Sequence, residues 1–264
     1  MSKSAVKAVA AAATGTSETP VEVEAKLRAS RRAFHLLEQA QEIAGWHVAE
    51  RREVCLRDTY WDTPDHRLAG AGCTLRIREQ QAGSAAPDTP AATSGKPSRA
   101  ASPFRTGGPQ AELTLKGPVD THLAGLGSRT ELTIVAPAGS GPLEWAGLPA
   151  ATPVLAALRT LGATEALRPD IVLLNPRREL VLRRNGSEVV LSLDEVRIEG
   201  KPYCRRYVEL ELERGSHATL QELVLAVEGR FRLRQARRGK VRAARRWLAL
   251  HDQPDQPRQP GQPG

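Results

Sequence analysis

The sequence predicts an α+β, mainly β fold: about eight antiparallel strands closed into a β-barrel, with a charged interior and covering helices. Three observations predict it. Segment after segment alternates charged and apolar residues with period two, the mark of strands with two unlike faces. Helical segments are few, and none creates the strand–helix–strand alternation that a parallel sheet requires. The charged faces are also ordered: arginine is preferred, acids gather in the first and last strands, and cations fill those between. Solvated faces show no such order, so the charged faces are expected inside and the apolar faces under the helices. Buried charge is costly unless paired or matched by a ligand. The expected occupant is therefore a polyanion accompanied by metal ions.

Composition bounds the reading. A chain of 264 residues holds one large domain or two small ones, and 40% hydrophobic residues mark it as globular. Its net charge of +8 and pI near 9.9 predict an anionic partner: nucleotide, polyphosphate, nucleic acid or membrane surface. Cys55, Cys73 and Cys204 are odd in number, far apart and without a C-x-x-C, which excludes a disulfide framework or a zinc knuckle. No apolar run reaches the ~20 residues of a membrane span. The Ala-rich segment from Ala5 to Ala13 is interrupted by Lys7 and too weakly apolar for a signal peptide. Residues 1–19 are read as a disordered leader, and the protein as cytoplasmic.

The elements follow in order. In Val21 to Arg28, Glu22, Glu24, Lys26 and Arg28 share one face, and Val21, Val23, Ala25 and Leu27 the other. Ser30 caps a helix bearing Phe34, Leu37 and Ile43, which Gly45 ends. Ala49 to Tyr60 reads as a strand and Asp62-Thr63-Pro64-Asp65 as a turn. Cys73 to Arg78 alternates, with Arg76 and Arg78 together. Residues 81–110 are Gly/Pro/Ala/Ser-rich and read as a disordered insertion between strands. Glu112 to Lys116 and Ser128 to Val135 resume the alternation. Thr152 is the expected N-cap of a short helix with Pro153 at N1, closed by Gly162. Asn185-Gly186 joins Leu174–Arg184 to Glu188–Ile198 as a hairpin. Tyr207 to Glu213 is the last strand, with Glu209, Glu211 and Glu213 on one face. Ser216 caps a helix through Leu220, Leu223, Val224 and Val227, and a basic helix runs from about Arg238 to Leu250. Residues 252–264 are a Pro/Gln-rich tail, which leaves 20–251 as the folded domain.

In this order the chain resembles the CYTH family, the triphosphate tunnel metalloenzymes. Glu22-Val23-Glu24-Ala25-Lys26 is similar to the family's opening motif, and Tyr60-Trp61-Asp62-Thr63-Pro64-Asp65 to its Y-x-D-T segment. Leu75 to Arg78, Leu113 to Gly117, Arg129-Thr130-Glu131, Arg177 or Arg178, Leu193 to Val196 and Glu209 to Leu212 follow. Lys240 resembles the family's C-terminal lysine in a looser Gly-Lys context. The resemblance implies an eight-stranded antiparallel tunnel that binds triphosphate with Mg²⁺ or Mn²⁺. Family members hydrolyse inorganic or thiamine triphosphate, cyclise ATP, or cleave the 5′-triphosphate of RNA. The wording from Tyr60 to Leu68 is most similar to the bacterial inorganic triphosphatase branch. No segment of this sequence is read as the helical CHAD partner domain frequent in the family.

On this reading Glu22, Glu24, Asp194, Glu209 and Glu211 are the expected catalytic and metal-holding acids. Glu209 and Glu211 are expected to face the first pair across the barrel. Lys26, Arg28, Arg76, Arg78, Lys116, Arg129, Arg177 and Lys240 are the expected phosphate clamps, since cations grip phosphate oxygens through charge-assisted bonds. Alternation favours Arg177 over Arg178 as the inward residue, and Glu131 is expected to orient Arg129. The expected reaction is phosphoanhydride hydrolysis of inorganic triphosphate or a nucleoside or thiamine triphosphate, one ion bridging the phosphates and a second acidifying the attacking water. The rivals are a class IV-type adenylyl cyclase and a non-catalytic polyphosphate- or nucleotide-binding module. Nucleic acid is disfavoured because aromatics for base stacking make up 4%. No membrane is expected, and a homodimer is compatible with the sequence.

Overall fold

The structure, a computed structural model, describes residues 21–81, 110–118, 120–122, 126–139, 144–148, 151–164, 167–236 and 238–251. The expected leader and tail and nearly all of the 81–110 insertion lie outside these residues. In chain order the strands are β1 (Val21–Arg28), β2 (Glu42–Ile43), β3 (Trp46–Asp62), β4 (Thr74–Gln80), β5 (Gln110–Lys116), β6 (Asp120–His122), β7 (Leu126–Pro137), β8 (Arg168–Arg184), β9 (Ser187–Ile198), β10 (Cys204–Arg214) and β11 (Arg234–Gln235). The helices are α1 (Arg31–Gln39), α2 (Arg67–Gly70), α3 (Thr152–Thr160), α4 (His217–Phe231) and α5 (Lys240–His251). Among the described residues, no helix is long and apolar enough to cross a membrane.

Eight strands form a closed antiparallel ring. β1 pairs β10, and the pairing continues through β9, β8, β3, β4, β5 and β7, which returns to β1 with Glu22 opposite Arg129. Every long strand thus has two neighbours, which removes the free edges that would otherwise invite aggregation. The short β2, β6 and β11 lie beside the ring, on β3, β7 and β1.

The apolar outer faces are covered as expected. α1 and α4 bury Phe34, Leu37, Leu220, Leu223 and Val224 against Ala25, Leu27, Leu180, Leu191, Val208 and Leu210. Ser30 Oγ accepts from Ala33 N at 3.1 Å and Ser216 Oγ from Thr219 N at 3.2 Å, so both predicted caps form. On the other flank, α3 packs Val154 and Leu158 with Trp145 over Leu75, Leu113 and Leu115.

Three local expectations change. α1 ends at Gln39, and Ile43 joins β2, because Ala44 (φ +53°) and Gly45 (φ +80°) turn the chain so that Ile43 pairs Trp46. β3 is longer than expected, starting at Trp46 and crossing an irregularity between Val48 and Glu50 that interrupts its alternation. Thr152 is the first residue of α3; the residue before it, Ala151, makes no side-chain cap.

Candidate functional site

Alternation places one face of each ring strand inside. β1 contributes Glu24 and Lys26; β3 Asp58; β4 Arg76 and Arg78; β5 Glu112, Thr114 and Lys116; and β7 Arg129 and Glu131. β8 adds Asn175, Arg177 and Glu179, β9 adds Ser192 and Asp194, and β10 adds Glu209 and Glu211. Lys240, the first residue of α5, reaches in from one end. Seven cations and eight acids share this space, and the acids are interleaved with the cations rather than gathered in the first and last strands.

The pairing is dense. Asp194, with 0% of its side chain exposed, accepts from Asn175 Nδ2 at 2.6 Å, Arg177 Nε at 2.8 Å and Lys240 Nζ at 2.5 Å. Glu209 Oε2 accepts from Lys240 Nζ at 2.8 Å and Arg177 Nη2 at 3.0 Å. Its Oε1 lies 2.8 Å from Lys26 Nζ, a charge contact without hydrogen-bond alignment. Lys26 also donates to Glu24 at 3.2 Å, and Arg129 to Glu24 at 2.8 Å. On the far wall, Arg78 holds Asp58 through two bonds of 2.6 and 2.8 Å. Arg76 donates to Glu112 at 2.7 Å, and Lys116 pairs Glu131 at 2.7 Å.

Titration follows from these contacts. Burial pushes Glu209 up, but Lys240, Lys26 and Arg177 outweigh it and hold the carboxyl well below its ordinary value. Asp58 is likewise lowered: Arg78 and Arg76 overcome its burial. Lys26 is raised because Glu209 and Glu24 overcome its burial. Lys240 touches Glu209 too but is lowered, since burial dominates and Arg177 and Lys26 add repulsion to it.

Nearly all of the predicted residues fall on this surface, in an altered arrangement. Arg177 points in, with 13% of its side chain exposed, whereas Arg178, at 41%, pairs Glu38 and Glu53 outside. Arg28 is exposed at the end of β1. Glu22 pairs Arg129 through the backbone, but its side chain is outside the described residues. Glu211 and Glu209 are not across the barrel from β1. β10 adjoins it, so Glu211 is opposite Glu24 and Glu209 opposite Lys26. Glu131 pairs Lys116, and Arg129 grips Glu24. Sequence reasoning passed over Asp58, Glu112 and Glu179. Each was legible from even spacing on one face: Asp58 two places from Tyr60 of the Y-x-D-T segment, Glu112 four from Lys116, and Glu179 two from Arg177.

The Tyr60–Asp65 segment is a joint. Asp62 accepts from the backbone N–H groups of Thr63, Leu68 and Ala69 and from Arg245 of α5. Arg245 also donates to Asp170 at 2.6 Å. α5 thereby closes one end of the barrel. There the inward faces turn apolar, and Tyr60, Ile171, Leu173, Val196, Ile198 and Tyr207 pack on Val241 and Ala244.

The fold has solved counterparts. A candidate adenylyl cyclase from Hippeastrum, described as having a dominant triphosphatase activity, aligns with a TM-score of 0.56 and 16% identity over 86% of this chain and 96% of its own. A candidate adenylate cyclase from Bacillus halodurans aligns with a TM-score of 0.52 and 22% identity over 84% and 96%. No curated protein sequence matches the chain. The family model of the CYTH domain matches residues 21–239, the ring strands entire, and this protein therefore belongs to the CYTH domain family.

Proposed function

We propose that the protein hydrolyses inorganic triphosphate, or a related organic triphosphate, inside this tunnel with Mg²⁺ or Mn²⁺, as in the bacterial inorganic triphosphatase branch. The observation that carries the reading is Arg76. Its Nε is buried within the ring and has no hydrogen-bond partner among the described residues. A buried guanidinium donor left unsatisfied is costly, and a phosphate oxygen is the acceptor that its geometry suits.

The tunnel also carries donors of the kind that a divalent cation takes. Glu24 and Glu211 are directly opposed in register, and Glu209 is two places along the same face. Carboxylate oxygens are the donors that Mg²⁺ and Mn²⁺ prefer. Among the described residues no three such groups stand together at metal-binding distances; Lys26 and Arg129 hold Glu24, and Lys26, Arg177 and Lys240 hold Glu209. A bound cation supplies charge neutralisation to the phosphates and acidifies the attacking water. Because the interior acids match its cations in number, a bare polyanion gains little by entering; one accompanied by a divalent cation gains much more. Arg76, Arg78, Lys116 and Arg129 then grip the phosphates from one wall, and Lys26, Arg177 and Lys240 from the other. Asp194 keeps Arg177 and Lys240 oriented.

A phosphate-release assay tests the proposal, with inorganic triphosphate, ATP and thiamine triphosphate each supplied with either metal. Inorganic triphosphate is expected to show the highest kcat/KM, and activity to require added metal. Equal turnover after exhaustive chelation would overturn the metal role, and cyclic AMP formed from ATP would replace the hydrolase with a cyclase.

A further inference from the structure

The two ends of the barrel are unlike. One is filled by α5. At the other, where β8 turns into β9 through Asn185-Gly186, the inward face ends in a row of polar and charged residues. His47, Arg183, Glu188 and Arg214 are register partners across β3, β8, β9 and β10. Arg183 is six positions beyond Arg177 on the same strand, about 20 Å along it. Between them that face carries Glu179 and then Val181. The row borders an open cleft of about 500 Å³, to which Arg184 and Ser187 also contribute.

We propose that this row is a second phosphate-binding station at the open mouth, holding the outer end of a linear polyphosphate longer than triphosphate. The inference rests on the reading of the interior as a phosphate site. Three phosphates joined by single oxygens are far shorter than 20 Å, so triphosphate held at Arg177 stops short of the row and a longer chain reaches it.

The station differs from the interior in its charge balance. Deeper cations are matched by carboxylates, whereas Arg183 and Arg214 share one acid, Glu188. That carboxylate has 4% exposure and takes Arg183 Nε at 2.7 Å, while Arg214 Nη2 stays at 3.8 Å, a charge contact too long for a hydrogen bond. Among the described residues the terminal nitrogens of Arg183 have no partner, so both guanidinium groups retain donors for an anion. The buried acid fixes Arg183 in place, which lowers the entropy cost of binding. Arg184, steadied 4.9 Å above the Trp46 ring and paired with Glu222, adds positive charge at the side. Among the described residues no Phe, Tyr or Trp lines the cleft, so these offer no stacking platform for a base. A continuing phosphate chain therefore fits it better than a nucleoside.

Calorimetry on the full chain tests this with Ca²⁺ as the divalent cation, under conditions first shown to release no phosphate from either titrant. The titrants are triphosphate and a size-fractionated polyphosphate several times longer. Arg183→Ala/Arg214→Ala is expected to weaken the long chain at least about tenfold and to change triphosphate binding less than about twofold. Because the double variant strips Glu188 of its partners, Arg214→Ala alone, which keeps the Arg183–Glu188 bond, is run beside it and is expected to give a smaller loss of the same kind. Arg246→Ala on the exposed side of α5 controls for bulk charge. Equal losses for both titrants, no loss for either, or a loss matched by the control would overturn the station. Arg76→Ala separates the two claims. If it leaves triphosphate binding and hydrolysis intact while the mouth variants still weaken the long chain, the interior reading fails and the mouth site stands.

Discussion

Arg78 and Asp58 show how pairing alters what a single side chain does. Faces read from sequence made Arg78 one of eight expected phosphate clamps and gave it no partner. In the barrel it forms a two-bond clamp on a carboxylate with 2% exposure. Arg78→Ala is therefore expected to destabilise the fold by about 3–5 kcal/mol, because it strands a buried charge. Adding Asp58→Asn should recover a large part of this, and urea unfolding of the two variants measures it. Glu24→Gln probes the other charge class. It removes a proposed metal donor while keeping shape, so kcat should fall on the order of 100-fold, with partial rescue at higher metal concentration. Turnover at the wild-type rate would remove Glu24 from the site. Period-two alternation revealed which residues share a face, and hence most of the site. It carried no information on which acid sits opposite which base, because that depends on register between strands distant in sequence.

At the level of elements, strand positions were clearer than their ends. Ser30, Ser216 and Asn185-Gly186 act locally and were read correctly, since caps and tight turns depend on a few adjacent residues. The end of α1 and the irregularity in β3 arise from pairing with β2 and β8, which no local signal announces. β4 and β5 are direct neighbours, with Glu79 opposite Ala111. A short Gly/Ser turn in place of residues 82–109 should therefore keep that register and leave Tm and triphosphatase activity nearly unchanged, as calorimetry and phosphate release will show. Activity lost at constant Tm would give the insertion a functional part. α5 was legible as a basic helix, but its role as a stopper was not, because Val241 and Ala244 meet residues of five different strands and loops. Arg245→Ala removes its bonds to Asp62 and Asp170. Hydrogen exchange at α5 amides should then accelerate well before that of β8 and β9.

Across the whole molecule, the buried acids set the response to pH. Asp58, Glu112 and Glu209 are all held below their ordinary values, burial being outweighed by neighbouring Arg and Lys side chains. Each binds its proton more readily unfolded than folded, so their stabilisation is complete above about 4.5, the ordinary Glu value. It declines as pH falls through the lowered folded values. Urea midpoints should drop steadily on acidification below that point, and less steeply for Asp58→Asn; a flat profile would contradict the buried pairing. The closed ring was predictable because strand count, two-faced strands and missing crossovers agree on it. The near balance of interior charge was not, because it became visible only once Asp58, Glu112, Glu131 and Glu179 were placed inside.

Ring closure also has a consequence for how the protein is made. β1 is synthesised first, yet its Glu24 pairs with Glu211 of β10, close to the end of the folded chain. At about 5–20 residues per second, the ribosome delivers that partner on the order of ten seconds or more after β1 emerges. Throughout that interval Val23, Ala25 and Leu27 lack the cover that α4 and β10 later provide. The nascent chain thus holds an apolar strand with a free edge, which makes the first strand the natural point of chaperone attachment during translation.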